Sequence, residues 1–67
     1  MKVKDIIKKA HLYPGQAVTV NNVTTAETYK TKNRYSFEHE KVGSAAILNL
    51  KVNSFDVSAD GLTIWAE

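Results

Sequence analysis

Apolar residues recur at helical spacing near the start of the chain. Four of them follow the i, i+3, i+4, i+7 pattern of one helix face: Val3, Ile6, Ile7 and Ala10. Lysines occupy the opposite face. The segment Tyr13-Pro14-Gly15 ends the pattern, because proline lacks the amide that a helix needs and glycine accepts a turn. The pattern predicts an amphipathic helix over residues 2–12.

The next apolar pattern has a period of two. In residues 17–23, Val18 and Val20 alternate with polar residues, and β-branched side chains are frequent. Alternation of this kind is typical of a strand with one buried face. We expect the first strand here.

Residues 22–42 allow two interpretations. Thr24 and Glu27 have the spacing of a capping box, which would begin a helix. The alternation of Tyr35 and Phe37 with polar residues is typical of a strand. Because threonine is frequent and no apolar helical stripe is present, we favour irregular or strand structure, with Tyr35 and Phe37 as its most strand-like part.

The last third of the chain predicts a short helix and then a hairpin. Residues 43–49 form the helix, with Ser44 as its N-cap and Asn49 near its end. Strand patterns then cover residues 50–57 and 62–67. Between them, Asp60-Gly61 is a strong turn signal, since glycine supplies the positive φ that hairpin loops need.

The hairpin predicts the side of the sheet on which each residue lies. If residues 58–61 form the loop, Val57 faces Leu62, and the next pair, Phe55 and Ile64, lies on the same side. The only tryptophan, Trp65, then lies on the other side.

Ser54 and Thr63 are predicted to lie beside Trp65 on that side of the sheet. In a two-layer domain whose helices cover one sheet face, this side is open to solvent or to a partner. The alternative is that a helix, a loop or a slipped register covers Trp65 and makes it part of the core.

These elements predict one α+β domain over residues 1–67 with the order αββαββ. An antiparallel sheet is packed by the first helix and capped by the short second helix. The predicted core is Val3, Ile6, Ile7, Ala10, Leu12, Val18, Val20, Ile47, Leu48, Val52, Phe55, Val57, Leu62 and Ile64, which Tyr35 and Phe37 can join.

Composition narrows the class of protein. A chain of 67 residues supports one small core, and without cysteine it has neither a disulfide nor a thiolate zinc site. The longest apolar run covers only residues 45–48, far short of a membrane span, and the first residues lack the apolar stretch of a secretory signal. We expect a cytoplasmic protein.

Charge is unevenly distributed, which raises nucleic-acid binding as an alternative function. Residues 1–34 have a balance of +5 and residues 35–67 a balance of −3. The candidate phosphate-binding residues are Lys4, Lys8, Lys9, Lys30, Lys32 and Arg34, and Tyr29 and Tyr35 are available to stack on bases. A solvated polar face explains the same lysines equally well.

Metal binding and catalysis find little support. Glu38-His39-Glu40 contains metal-ligand types, but alternation along a strand separates the histidine from both glutamates, and His11 is distant in sequence. None of the serines at positions 36, 44, 54 and 58 has the context of a nucleophile. We therefore expect no metal, no cofactor and no enzymatic activity.

The two ends of the chain resemble small uncharacterised proteins encoded by phages and prophages of Gram-positive bacteria. The resemblance lies in the lysine-rich start "MKVKDIIKKA", the short helix "SAAILN" and the final hairpin "LKVNSFDVSADGLTIWAE". Residues 22–42 have no counterpart in it. It implies an accessory gene on a mobile element and assigns no site.

The sequence thus predicts a non-enzymatic protein-interaction module. We expect it to bind a host or phage protein, or a second copy of itself, through the sheet face that carries Trp65, Thr63 and Ser54, because indoles are frequent at binding hot spots. Nucleic-acid binding through the basic amino-terminal half is the alternative.

Overall fold

The computed structural model describes residues 1–67 and contains two helices and one four-stranded sheet. The elements in chain order are α1 (Val3–Lys9), β1 (Ala17–Asn22), β2 (Thr28–Thr31), α2 (Ser44–Leu48), β3 (Val52–Ser58) and β4 (Gly61–Ala66). The α+β class and the order αββαββ are confirmed. Neither helix is long and apolar enough to cross a membrane.

The sheet is mixed, with the strand order β2-β1-β4-β3. The hairpins β1–β2 and β3–β4 are antiparallel as predicted, but β1 and β4 run parallel at the centre, so the prediction of an antiparallel sheet is wrong there. Period-two alternation indicates which residues share a face and leaves open how two hairpins join. The strands with the most buried residues, β1 and β4, take the centre.

One face of the sheet, here named the core face, carries two rows of side chains across all four strands. The first row is Tyr29, Val20, Ile64 and Phe55, and the second is Thr31, Val18, Leu62 and Val57. These pairs confirm the predicted hairpin register. The helices contribute Val3, Ile6, Ile7 and Ile47 to the same buried cluster, so both helices lie on the core face.

Phe55 and Val57 are exceptions to the predicted core. They lie on the core face, yet they are 52% and 58% exposed. Their strand is at the edge of the sheet, and a seven-residue and a five-residue helix do not extend over it. The other predicted core residues are buried or packed against the core, and Tyr29 and Ala66 are buried in addition.

The segment 32–43 forms no strand, so the strand interpretation of Tyr35 and Phe37 is wrong. Phe37 is nevertheless buried, while Tyr35 is exposed. The Ser44 hydroxyl accepts a hydrogen bond from the Phe37 amide and donates one to the Phe37 carbonyl, both at 2.9 Å. A serine side chain therefore satisfies the backbone of Phe37 in place of a neighbouring strand.

The capping-box spacing of Thr24 and Glu27 begins no helix, because a turn between β1 and β2 takes these residues. The Oδ1 atom of buried Asn22 accepts hydrogen bonds from the amides of Thr24 and Thr25, at 3.0 and 3.2 Å. An asparagine at the end of a strand thus organises the turn.

Helix α1 is shorter than residues 2–12. At its start, the Lys2 amide donates to Asp5 Oδ2 at 3.0 Å, and this hydrogen bond lowers the pKa of the Asp5 carboxyl. At its end, Ala10 already has extended backbone geometry. Tyr13-Pro14-Gly15 then forms a turn closed by Gln16, whose Oε1 accepts the Tyr13 amide at 2.9 Å.

Gly61 is required where β4 begins beside β1. Its φ is +137°, and a Cβ at this position would collide with the backbone carbonyl of Ala17, its partner in the parallel pair. Only glycine accepts both this conformation and this close approach.

Candidate interaction surfaces

The face of the sheet opposite the helices, here named the open face, is polar apart from one aromatic residue. Alternation along the four strands places on it Thr19, Asn21, Thr28, Lys30, Ser54, Asp56, Thr63 and Trp65. Lys30 and Asp56 lie on opposite edge strands and are exposed, whereas the residues of the two central strands are half-buried. No helix covers this face.

Trp65 lies on a central strand of the open face, between Asn21 of β1 and Ser54 of β3. Thr63 is two residues earlier on β4 and shares the face. The structure therefore places the two residues predicted beside Trp65, Thr63 and Ser54, on the same face as the tryptophan. The indole is half-buried by its neighbours and is not part of the core cluster, so part of its ring is available for contact.

The basic residues do not form one surface. Lys4, Lys8 and Lys9 are on the solvent-exposed side of α1, which covers the core face. Lys30 is on the open face, on the other side of the sheet, and lines a shallow polar cleft with Lys32. The amino-terminal charge of the sequence is therefore divided between two sides of the molecule.

Arg34 has a structural role that the sequence did not indicate. Its guanidinium donates hydrogen bonds to the carbonyl oxygens of Ile7 and Ala10, both at 2.6 Å. The Ile7 carbonyl belongs to the last turn of α1 and Ala10 is the C-cap residue that follows it, where the helix dipole favours a positive charge. The only arginine of the chain is thus occupied at a helix end, and the predicted basic surface has only lysines.

His39 packs against Tyr29 of β2 and does not belong to a cluster of metal-ligating side chains. Its Nδ1 accepts the Lys41 amide at 3.3 Å, and its Nε2 lies 3.2 Å from Glu27 Oε2. The ring packs edge-on against Tyr29 with the centroids 4.9 Å apart. No three His, Asp or Glu side chains form a group that could hold a metal ion.

A groove with an almost entirely apolar lining lies between α1 and β3. It is lined by Met1, Ile6, Ala10, Phe55, Val57 and Leu62, with Lys9 at its rim. The sequence did not reveal this groove, because Phe55 and Val57 have the pattern of core residues. The signal that could have found it is the shortness of the two helices relative to a four-stranded sheet.

Comparisons with protein-family models, with curated proteins and with solved structures find no match to this chain.

Proposed function

We propose that the protein is a non-enzymatic interaction module that binds another protein through the open face around Trp65. The observation that supports this proposal is the position of the indole on a central strand, half-buried between Asn21 and Ser54 on a face that no helix covers. Interface hot spots are frequently aromatic, central and surrounded by polar groups that exclude water. The hydroxyl and amide side chains around Trp65 provide such a surround.

The proposed partner is a host or phage protein in the cytoplasm. The support for this setting is the resemblance of the first helix, the short helix and the final hairpin to phage and prophage proteins of Gram-positive bacteria. Binding at the open face needs no change in the fold, because no element has to move away from Trp65.

The test is affinity capture from a lysate of a Gram-positive host with three immobilised proteins: the wild type, Trp65→Ala and Tyr13→Ala. Tyr13 is an aromatic residue in the loop after α1 and is 77% exposed, so its substitution controls for the loss of an exposed ring elsewhere. We expect one partner to be retained by the wild type and Tyr13→Ala, and to be lost with Trp65→Ala.

Circular dichroism of the three proteins must show the same fold. A partner that Trp65→Ala retains as well as the wild type would contradict the proposal. For a captured partner, acrylamide quenching of Trp65 emission gives a second measurement, since binding over the indole reduces its access to the quencher.

The second candidate function is nucleic-acid binding by the lysines of α1. The observation in its favour is that Lys4, Lys8 and Lys9 are exposed and form no ion pair. The one close contact between a basic and an acidic side chain joins His39 and Glu27. Ammonium groups without carboxylate partners are available to phosphates.

Its test is fluorescence anisotropy with labelled single- and double-stranded DNA and RNA at several salt concentrations. We expect affinity to fall steeply with salt and to be lost when Lys4, Lys8 and Lys9 are all changed to Glu. The pair Lys30→Glu and Lys32→Glu, on the other side of the sheet, is the matched control. Binding that is absent, or independent of salt, would exclude this function.

A further inference from the structure

The outer edge of β3 presents unpaired backbone groups. Ser58 and Gly61 close the turn between β3 and β4, and in an antiparallel ladder the hydrogen-bonded pairs then alternate from this point. Phe55 and Val57 belong to the pairs that are not hydrogen-bonded to β4. Their amides and carbonyls therefore point away from the sheet, where another strand could pair with them.

The beginning of this edge is already occupied. The Val52 amide donates to the Met1 carbonyl at 2.8 Å and the Val3 amide donates to the Leu50 carbonyl at 2.9 Å, so the first residues of the chain pair antiparallel with residues 50–52. The free edge then extends over residues 53–58. This is the length of a typical strand.

The free edge adjoins the apolar groove between α1 and β3. Phe55 is 52% exposed, Val57 is 58% exposed and Met1, at the same groove, is 65% exposed. An unpaired edge with apolar side chains on one face is a template for adding a strand whose apolar side chains alternate in the same way.

We propose that β3 of a second copy of this chain pairs antiparallel with β3, forming a two-fold symmetric dimer with a continuous eight-stranded sheet. The free edge of β3 is self-complementary: it offers the unpaired backbone groups and exposed apolar side chains that it requires of a partner strand. Phe55 and Val57 of each copy lie on the core face and enter the apolar surface beside the other copy's groove.

Charge and strand direction select the register. A two-fold axis at Asp56 would place two carboxylates directly opposite each other, which is destabilising. An axis at Phe55 places the two rings opposite each other and Asp56 opposite Ser54 of the partner subunit. With this axis the pairing covers residues 53–57 and stops where Met1 begins, at the β-bulge between Val52 and Ser54.

This dimer is independent of binding at the open face. The two-fold axis is perpendicular to the sheet, so the open faces of both copies point to the same side and each Trp65 stays free. Loss of the dimer would leave the proposed function unaffected, and loss of partner capture by Trp65→Ala would leave the dimer unaffected.

The test is sedimentation equilibrium of the wild type, Val57→Lys and Val23→Lys from micromolar to millimolar concentration. Val23 is also an exposed valine, at 49%, but it follows β1 and lies away from the β3 edge. We expect the wild type and Val23→Lys to reach twice the mass of the chain. Val57→Lys should raise the dimer dissociation constant at least about tenfold, because it replaces an apolar side chain beside the Phe55 ring of the partner subunit, its diagonal neighbour across the pair, with a cation.

Circular dichroism and thermal unfolding of both variants confirm that each is folded, which the exposure of both valines favours. A wild type that stays monomeric at millimolar concentration overturns the proposal. Equal dimerisation of Val57→Lys and Val23→Lys, or a mass that continues to rise beyond the dimer, overturns it as well.

Discussion

At one edge of the sheet Tyr29 of β2 is 2% exposed, and at the other edge Phe55 of β3 is 52% exposed. Both aromatic residues end the same row of the core face, which runs through Val20 and Ile64. The second row repeats the contrast, with Thr31 buried at one end and Val57 exposed at the other. Residue type therefore does not decide burial at these edges.

The difference comes from the segment 32–43, which follows β2 and covers its edge. The Thr31 hydroxyl oxygen lies 2.8 Å from the Asn33 carbonyl oxygen and 2.6 Å from that of Ser36, and it shares its one proton between them. His39 packs on Tyr29. No segment of comparable length follows β3, because a tight turn leads directly into β4. A sheet edge is thus closed or open according to the connection that follows its strand.

The largest expected effect is the difference in stability between truncation of Tyr29 and truncation of Phe55. Tyr29→Ala should lower the free energy of unfolding by about 3–5 kcal/mol, because it leaves a cavity in the core, and Phe55→Ala by less than about 1 kcal/mol. Urea denaturation of both variants measures the difference. Equal losses would show that the two edges are energetically alike and that the contrast in exposure has no consequence for stability.

The packing of the segment 32–43 over the edge of β2 can be weakened by a substitution at Ser44. Ser44→Ala removes both hydrogen bonds to the Phe37 backbone and should lower the free energy of unfolding by about 1–2 kcal/mol. Amide exchange at Phe37 should become faster, while exchange in β3 stays the same. Ser54→Ala, at an exposed position on the open face, is the control, and a similar loss in that variant would disprove a specific role for Ser44.

The register of the proposed dimer at the free edge of β3 can be tested by crosslinking. The chain has no cysteine, so a single Cys introduced in β3 is the only thiol. In the proposed dimer, residue 55 faces residue 55 of the other copy at about 5.5 Å between Cα atoms, within the range of a disulfide. Phe55→Cys should therefore oxidise to a covalent dimer in higher yield than Val57→Cys. A higher yield at position 57 would indicate another register.

The smallest expected effect is on the pH dependence of unfolding. It concerns the start of α1, the helix that borders the groove beside the free edge of β3. The hydrogen bond from the Lys2 amide lowers the pKa of Asp5 below its ordinary value of 3.8. The stability from this interaction is therefore present at neutral pH and is lost as the pH falls through the lowered pKa. Asp5→Asn should show a flatter pH dependence of unfolding in this range, and parallel profiles for the two proteins would contradict this assignment.

The sequence predicted the features that depend on neighbours along the chain. The face of Trp65 and the pairing of Phe55 with Ile64 follow from alternation and from one turn, and both are correct. The apolar stripe of α1 also predicted its buried side, Val3, Ile6 and Ile7. The contact between Trp65 and a protein partner remains a prediction.

The features that were missed depend on residues far apart in sequence. Arg34 reaches the end of α1 across more than twenty residues, and Phe37 is buried outside any strand. The exposure of Phe55 is of the same kind, since it results from what the helices leave uncovered. No local period contains this information, because hydrophobic alternation is identical for a covered and an uncovered edge strand.

The parallel pairing of β1 with β4 has a consequence for biosynthesis. Each hairpin can form as soon as its own residues have been made, but the central ladder joins Ala17 to Gly61 and Asn22 to Ala66. Because β4 is translated after all the other strands, a growing chain holds β1 without its central neighbour and with Val18 and Val20 unprotected. We therefore expect this domain to fold only when β4 has emerged from the ribosome, and stalled or truncated chains to be substrates for chaperones and proteases.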